Sequence, residues 1–228
     1  MFTIDDFIFG GITHTALHEA RMKNLKKDNL ILPKNIFKTA GTDNADFYID
    51  ENIEEISRSI NEYDTKDIRP SDIVLDIGAN IGGFSLNIYK KVHSVYAVEP
   101  LFIYALNRNI ELNNVKNINV IPCALGSGEI DITYNGLSRK VIGLSLGDIT
   151  KLCGDHIDFL KCDCEGAEWC ITLPEIMNIR RIETEIHNFD GKHNFKDFEN
   201  LLISSGFDYN KRMMGNNMLI SAKNRYIS

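Results

Sequence analysis

The sequence predicts an α/β fold: a mostly parallel seven-stranded sheet ending in an antiparallel C-terminal hairpin, behind an N-terminal helical extension. Three observations carry this expectation. Residues 72–99 read as strand, glycine turn, helix, strand and acid, the layout of a nucleoside-binding βαβ unit. From Asp72 onward extended and helical patterns alternate, as in a parallel sheet covered on both faces. The last two extended runs are joined by Gly215-Asn216-Asn217, too short for a parallel crossover, so that pair must be antiparallel.

Taken in order, residues 1–70 differ from the rest. Amphipathic helical patterns run over His14–Lys27 and Ile53–Tyr63, with extended pieces at Leu30–Leu32 and Phe47–Ile49 between them. This extension suits a cap, a homodimer contact or packing on the sheet edge. Residues 71–228 form the main domain, with strands expected at 72–76, 94–98, 118–121, 157–162, 181–186, 206–210 and 217–222. Helices are expected near 82–91, 101–113, 167–177 and 194–205, and Gly126–Leu137 reads as an inserted hairpin. A chain of 228 residues with 43% hydrophobic and 25% charged residues is ordinary for a globular protein. No apolar run approaches the roughly 18–20 residues that span a bilayer, and no basic-then-apolar leader is visible. A cytoplasmic protein without a membrane partner is expected. The net charge of −7 argues against broad phosphate-backbone binding. Five cysteines, bunched in the second half, lack zinc-ligand spacing; free thiols in a reducing compartment are expected.

The turn discriminates between ligands. A dinucleotide fingerprint wants glycine at its first, third and sixth positions, which here hold Gly78, Asn80 and Gly83. The middle glycine is absent, and Asp76 stands just before the turn, where a carboxylate repels a pyrophosphate. It suits a ligand bearing an ammonium or sulfonium group, so S-adenosyl-L-methionine is favoured over NAD. Glu99, closing the second strand, is placed to hold ribose hydroxyls. A βαβ unit that binds nothing is the plain alternative.

A second cluster reads Lys161-Cys-Asp163-Cys-Glu165-Gly-Ala-Glu168. On a strand Lys161, Asp163 and Glu165 share a face, and such crowding at the carboxyl edge of a sheet is costly unless a ligand relieves it. Glu168 suits a helix N-terminus. The following strand ends Glu185-Ile-His187, and His187 is the best single candidate for a general base. Asp163, Glu185 and His187 can alternatively hold a divalent metal. His193 reads as a solvated loop residue.

Together these clusters resemble the FkbM-type methyltransferase family. The resemblance rests on Asp76-Ile-Gly-Ala-Asn-Ile-Gly82, Val98-Glu99-Pro100, Ala124-Leu-Gly126, the Lys161-x-Asp163-x-Glu165-Gly-x-Glu168 pattern and a strand ending in Glu185. It covers residues 72–190 and implies a Rossmann-like class I methyltransferase sheet using S-adenosyl-L-methionine. It further implies that Gly78, Asn80 and Gly82 cradle the methionine part with Asp76 nearby, that Glu99 takes the ribose, and that Cys123, Ala124 and Leu125 line the adenine. O-methylation of a hydroxyl on a sugar or other small molecule is the implied reaction. His187, Asp163 or a bound metal would remove the proton, while Glu165 and Lys161 seat the small-molecule or glycan acceptor. A nucleic-acid or protein methyltransferase, an NAD-binding enzyme and a non-catalytic module are the alternatives. Leu146-Gly147-Asp148 departs from the family's usual Leu-Asp-Asp, and Cys162 and Cys164 replace aliphatic residues.

Overall fold

Short Val- and Ile-rich runs become the buried centre of one sheet. In the computed structural model, which describes residues 35–38, 45–49, 62–134, 137–189 and 191–227, β3 (Ile73–Ile77), β4 (Ser94–Val98) and β5 (Ile118–Ile121) are parallel neighbours. On the other side of β3 lie β9 (Phe159–Cys162) and β10 (Arg181–Ile186), again parallel. The chain then folds back as β11 (Phe207–Met214) and β12 (Asn217–Asn224), with β12 inserted antiparallel between β10 and β11. The seven strands therefore run β11-β12-β10-β9-β3-β4-β5, as the alternation and the short last turn require.

Helices α1 (Gly83–Ile88) and α2 (Ile103–Leu112) bury apolar side chains in one cluster with Val74, Val95 and Phe159. Helix α3 (Leu146–Leu152), which the sequence reading missed, begins at Ser145, whose hydroxyl accepts the Asp148 backbone N–H. Its Leu146 and Ile149 join the opposite cluster with Leu75 and Leu160. The helix expected over 167–177 is instead a 3-10 turn, Ala167–Cys170, an extended Ile171-Thr172, and a short α4 (Leu173–Ile176). Pro174 sits in the first turn of α4 and Thr172 with Glu175 forms a capping box, so the chain restarts rather than continues there. Helix α5 (Phe195–Ser204) closes the set.

The inserted hairpin is longer than expected: β7 (Gly128–Tyr134) pairs with β8 (Leu137–Leu144), and β8 also takes β6 (Ala124–Leu125). In the N-terminal region, β1 (Asn35–Lys38) and β2 (Asp46–Ile49) pair antiparallel, and Phe47 is buried with Leu106 and Ile110. The helix expected over His14–Lys27, the strand at Leu30–Leu32 and most of the Ile53–Tyr63 helix lie outside the described residues. Tyr63 itself occupies a bend. Residues 62–72 form a strap tied to β10 by ions: Arg180 meets Asp72 at 2.7 Å and Asp67 at 3.3 Å, and Arg181 meets Asp64 at 3.5 Å. Among the described residues no helix is long and apolar enough to cross a membrane.

Candidate functional site

Strand order reverses between β3 and β9, and ligands of open α/β sheets bind beyond the carboxyl ends of the strands at such a switch. Here those ends almost touch. Gly78 has φ +75, and a Cβ added to it would lie 1.7 Å from the Asp163 carbonyl oxygen, so only glycine fits. The Gly78 and Ala79 backbone N–H groups donate to the Val98 carbonyl at 3.0 Å each. Asn80, at φ +50, turns its own backbone N–H onto Glu99 Oε2 at 2.9 Å. Leu101 and Phe102 donate to Glu99 Oε1 at 2.6 and 2.8 Å. Local sequence thus fixes this carboxylate at the mouth of the turn. Burial raises its pKa, and the three N–H donors with Lys161 pull it back only to about 7.

A cleft of about 380 Å³ opens here, within the range of small-molecule sites. Gly78, Asn80 and Glu99 form one wall, and Cys123, Ala124 and Leu125 another. Ile130–Thr133 of β7 closes the side. Asn80 Oδ1 is buried there without a hydrogen-bond partner, an acceptor suited to an ammonium or hydroxyl. An adenosyl amino acid fits this wall chemistry: an apolar slot, a carboxylate for a diol, and a free amide oxygen.

Several expected positions change role. Gly82 does not line the cleft; at φ +99 it is the N-cap of α1, pressed against Leu106. Asp76 is fully buried behind the cleft, 2.6 Å from Ser85 Oγ and 3.2 Å from Lys161 Nζ. Its charge is balanced, so it does not present the bare carboxylate on which the sulfonium argument stood. Lys161, 2% exposed, donates to the Gly78 carbonyl at 2.9 Å; although burial works against its charge, Asp76 and Asp163 hold its pKa above the usual lysine range. It braces the turn and also lines the cleft beside Asp163. Strand β9 ends at Cys162 and Glu165 has φ +60, so the period-two argument that put Lys161, Asp163 and Glu165 on one face fails beyond the strand. Gly147 stands away from the cleft, its N–H donating to Glu175. All five cysteines are free.

The cleft's other end carries Asp163 and Glu165, and behind them, outside its lining, stand His187, Glu168 and Glu185. His187, 4% exposed, donates through Nδ1 to Glu168 Oε1, 3.2 Å away. Its Nε2 faces Asp163 Oδ1 at 3.8 Å, Glu165 Oε2 at 3.7 Å and Glu185 Oε1 at 3.7 Å. Burial alone would lower the His187 pKa, but Glu168, Asp163 and Glu165 together hold it at about 9. With its proton on, the ring offsets carboxylate charge and is not poised as the expected general base. Burial raises the Glu165 pKa above the ordinary carboxylate value. Glu168 is completely buried and accepts the Cys164 and Gly166 backbone N–H groups at 2.7 and 2.9 Å. It organises the loop, a role beyond the helix-end placement expected for it.

Sequence reasoning missed three residues. Tyr63 donates its hydroxyl to Asp163 Oδ2 at 2.8 Å, and nothing local to residue 63 signals it. Asn217, the first residue of β12, donates to Glu185 Oε1 at 2.8 Å. Trp169 donates to the His187 carbonyl at 2.6 Å and stacks on His193 at 4.5 Å between ring centres, so His193 is not merely solvated.

No protein-family model matches the chain, so the FkbM resemblance rests on its motifs. Over 76 residues the chain is 37% identical to a probable cobalt-precorrin-6B C(15)-methyltransferase (decarboxylating) of Methanococcus maripaludis. That match spans 32% of this chain and 40% of the relative, less than half of its length. Among solved structures, an rRNA methylase from Streptococcus thermophilus aligns with TM-score 0.50 at 11% identity, over 77% of this chain and 98% of the other. A precorrin-6y C5,15-methyltransferase from Geobacter metallireducens GS-15 aligns with TM-score 0.50 at 10% identity, over 78% and 95%. A ribosomal protein L11 methylase from Lactobacillus delbrueckii subsp. bulgaricus aligns with TM-score 0.50 at 14% identity, over 82% and 83%. At these identities the likeness is one of fold. The chain has the Rossmann-like fold that these methyltransferases share.

Proposed function

We propose that the chain is an S-adenosylmethionine-dependent methyltransferase acting on a hydroxyl of a sugar or other small molecule. One observation carries the reading: a single cleft joins the Asn80–Glu99 wall to the Asp163–Glu165 loop. When bound, the cofactor supplies an electrophilic methyl group on a sulfonium. Glu99 accepts hydrogen bonds from the ribose, Cys123–Leu125 flank the adenine, and Asn80 Oδ1 receives the amino group. Asp163, steadied by Tyr63, stands where an acceptor oxygen would approach, and a carboxylate of the Asp163–Glu165 loop takes its proton. Holding that oxygen in line is the larger contribution, since positioning supplies roughly 7–11 kcal/mol in well-oriented reactions, and a placed base adds about 10²–10⁴-fold.

The relatives' names include rRNA, ribosomal protein and corrinoid acceptors, so a macromolecular acceptor or methylation at carbon is the competing reading. The Asp163 and Glu165 carboxylates that line the acceptor end oppose a phosphate backbone and favour the small molecule. Calorimetry with S-adenosylhomocysteine tests the donor: micromolar binding lost in Glu99→Ala is expected, and no binding to the native chain defeats the reading. Methyl transfer from labelled donor to a panel of glycosides, with transfer RNA and ribosomal RNA beside it, tests the acceptor. Label in RNA alone would overturn the small-molecule assignment.

A further inference from the structure

We propose that Asp163, Glu185 and His187 form a divalent-cation site beside the cleft, reached through Asp163, which lines it, and taking a Mn²⁺- or Mg²⁺-class ion. One carboxylate oxygen from each acid and one imidazole nitrogen lie within 4.8 Å of one another. Ligands around such a cation, at about 2.1 Å from it, stand roughly 3–4.2 Å apart, and the Nε2 distances of 3.8 Å to Asp163 and 3.7 Å to Glu185 fall inside that span. The second observation is His187 itself. It is only 4% exposed, yet Nε2 has no hydrogen bond: every facing oxygen lies beyond hydrogen-bond reach. Nε2 is held only by these longer ion-pair contacts, a spacing that leaves room for a ligand between the ring and the carboxylates.

The surroundings are those of an outer coordination shell. Glu168 engages Nδ1 and so fixes which nitrogen faces the pocket. Tyr63 holds the far oxygen of Asp163 and leaves Oδ1 toward the ring. Asn217 fixes Glu185. The donors come from two adjacent strand ends and are held by a bend and the start of β12, so the site exists only in the folded chain. Mixed carboxylate and imidazole donors without thiolate suit Mn²⁺ or Mg²⁺. The cation's use rests on the methyltransferase reading: it would hold and polarise the acceptor hydroxyl. The proton then leaves to Glu165, and the oxygen–carbon bond forms as the donor's sulfur–carbon bond breaks.

Titrate the full chain with Mn²⁺ alone, following loss of the free-ion electron paramagnetic resonance signal, and measure S-adenosylhomocysteine affinity separately by calorimetry. One saturable Mn²⁺ per chain is expected, with nitrogen coupling in the spin-echo spectrum of the native protein. Asp163→Asn, Glu185→Gln and His187→Ala should each weaken it tenfold or more, and Glu168→Gln by about 10–100-fold. Glu111→Gln, on an exposed helix face, should leave it unchanged. Donor binding without saturable Mn²⁺ uptake, or uptake without nitrogen coupling, overturns the cation site and leaves the methyltransferase reading standing. Mn²⁺ uptake without donor binding does the reverse.

Discussion

Lowering the pH should weaken donor binding through Glu99 alone. Its carboxylate is nearly fully buried, and its pKa is raised to about 7. Ribose hydroxyls donate to the ionised form, so the apparent dissociation constant scales as one plus the ratio of protonated to ionised carboxylate. With the midpoint near 7 that factor is about 11 at pH 6 and about 1.1 at pH 8, a tenfold loss of affinity, or about 1.4 kcal/mol. At pH 6.5 binding should release about 0.8 proton per chain, which calorimetry in buffers of different ionisation enthalpy reads directly. Glu99→Gln should bind more weakly and lose both the slope and the proton release. A flat profile for the native chain between pH 6 and 8, or an unchanged slope in Glu99→Gln, refutes the reasoning. The same shift carries a sign for the empty protein. Because the folded pKa lies above the unfolded one, the stability that Glu99 contributes is present below about pH 4.5 and lost as pH rises through 7.

Other substitutions should act through equally specific contacts. Gly78→Ala adds a left-handed backbone penalty of about 1–2 kcal/mol to a collision with the Asp163 carbonyl; denaturant unfolding should show a loss of at least about 2 kcal/mol, with donor binding abolished in what remains folded. Tyr63→Phe removes the hydroxyl from Asp163 Oδ2; turnover should fall about tenfold while adenosylhomocysteine affinity stays the same. Lys161→Met leaves Asp76 buried without its cation, at a cost of about 3–5 kcal/mol; Asp76→Asn in the same chain should restore part of that loss in thermal unfolding.

Features written in one continuous segment were legible beforehand. Strand β3, the Gly78 turn and Glu99 lie within one unbroken βαβ segment, residues 73–99, so spacing alone announced them. The antiparallel end was equally plain, because Gly215–Asn217 leaves no length for a crossover. Partners brought from elsewhere were not. Asp76 announced a charge but not the Lys161 that balances it. Alternation placed Glu165 beside Lys161, yet the strand stops at Cys162, and past that point direction depends on left-handed turns at Glu165 and Gly166. Tyr63 stands 100 positions from the carboxylate it serves, and no local pattern connects them. The break before α4 was readable in principle, since Thr172, Pro174 and Glu175 make a helix start.

The ionic strap changes where a minimal version of this protein can begin. A shortened chain starting at residue 71, where the sequence motifs begin, would keep the Gly78 turn, Glu99 and the Asp163–Glu168 loop. It would also shed Asp64 and Asp67, leaving Arg180 and Arg181 with fewer counter-charges, and would delete the phenol that steadies Asp163. On the proposed methyltransferase reading, such a fragment is expected to keep adenosylhomocysteine affinity in calorimetry and lose turnover.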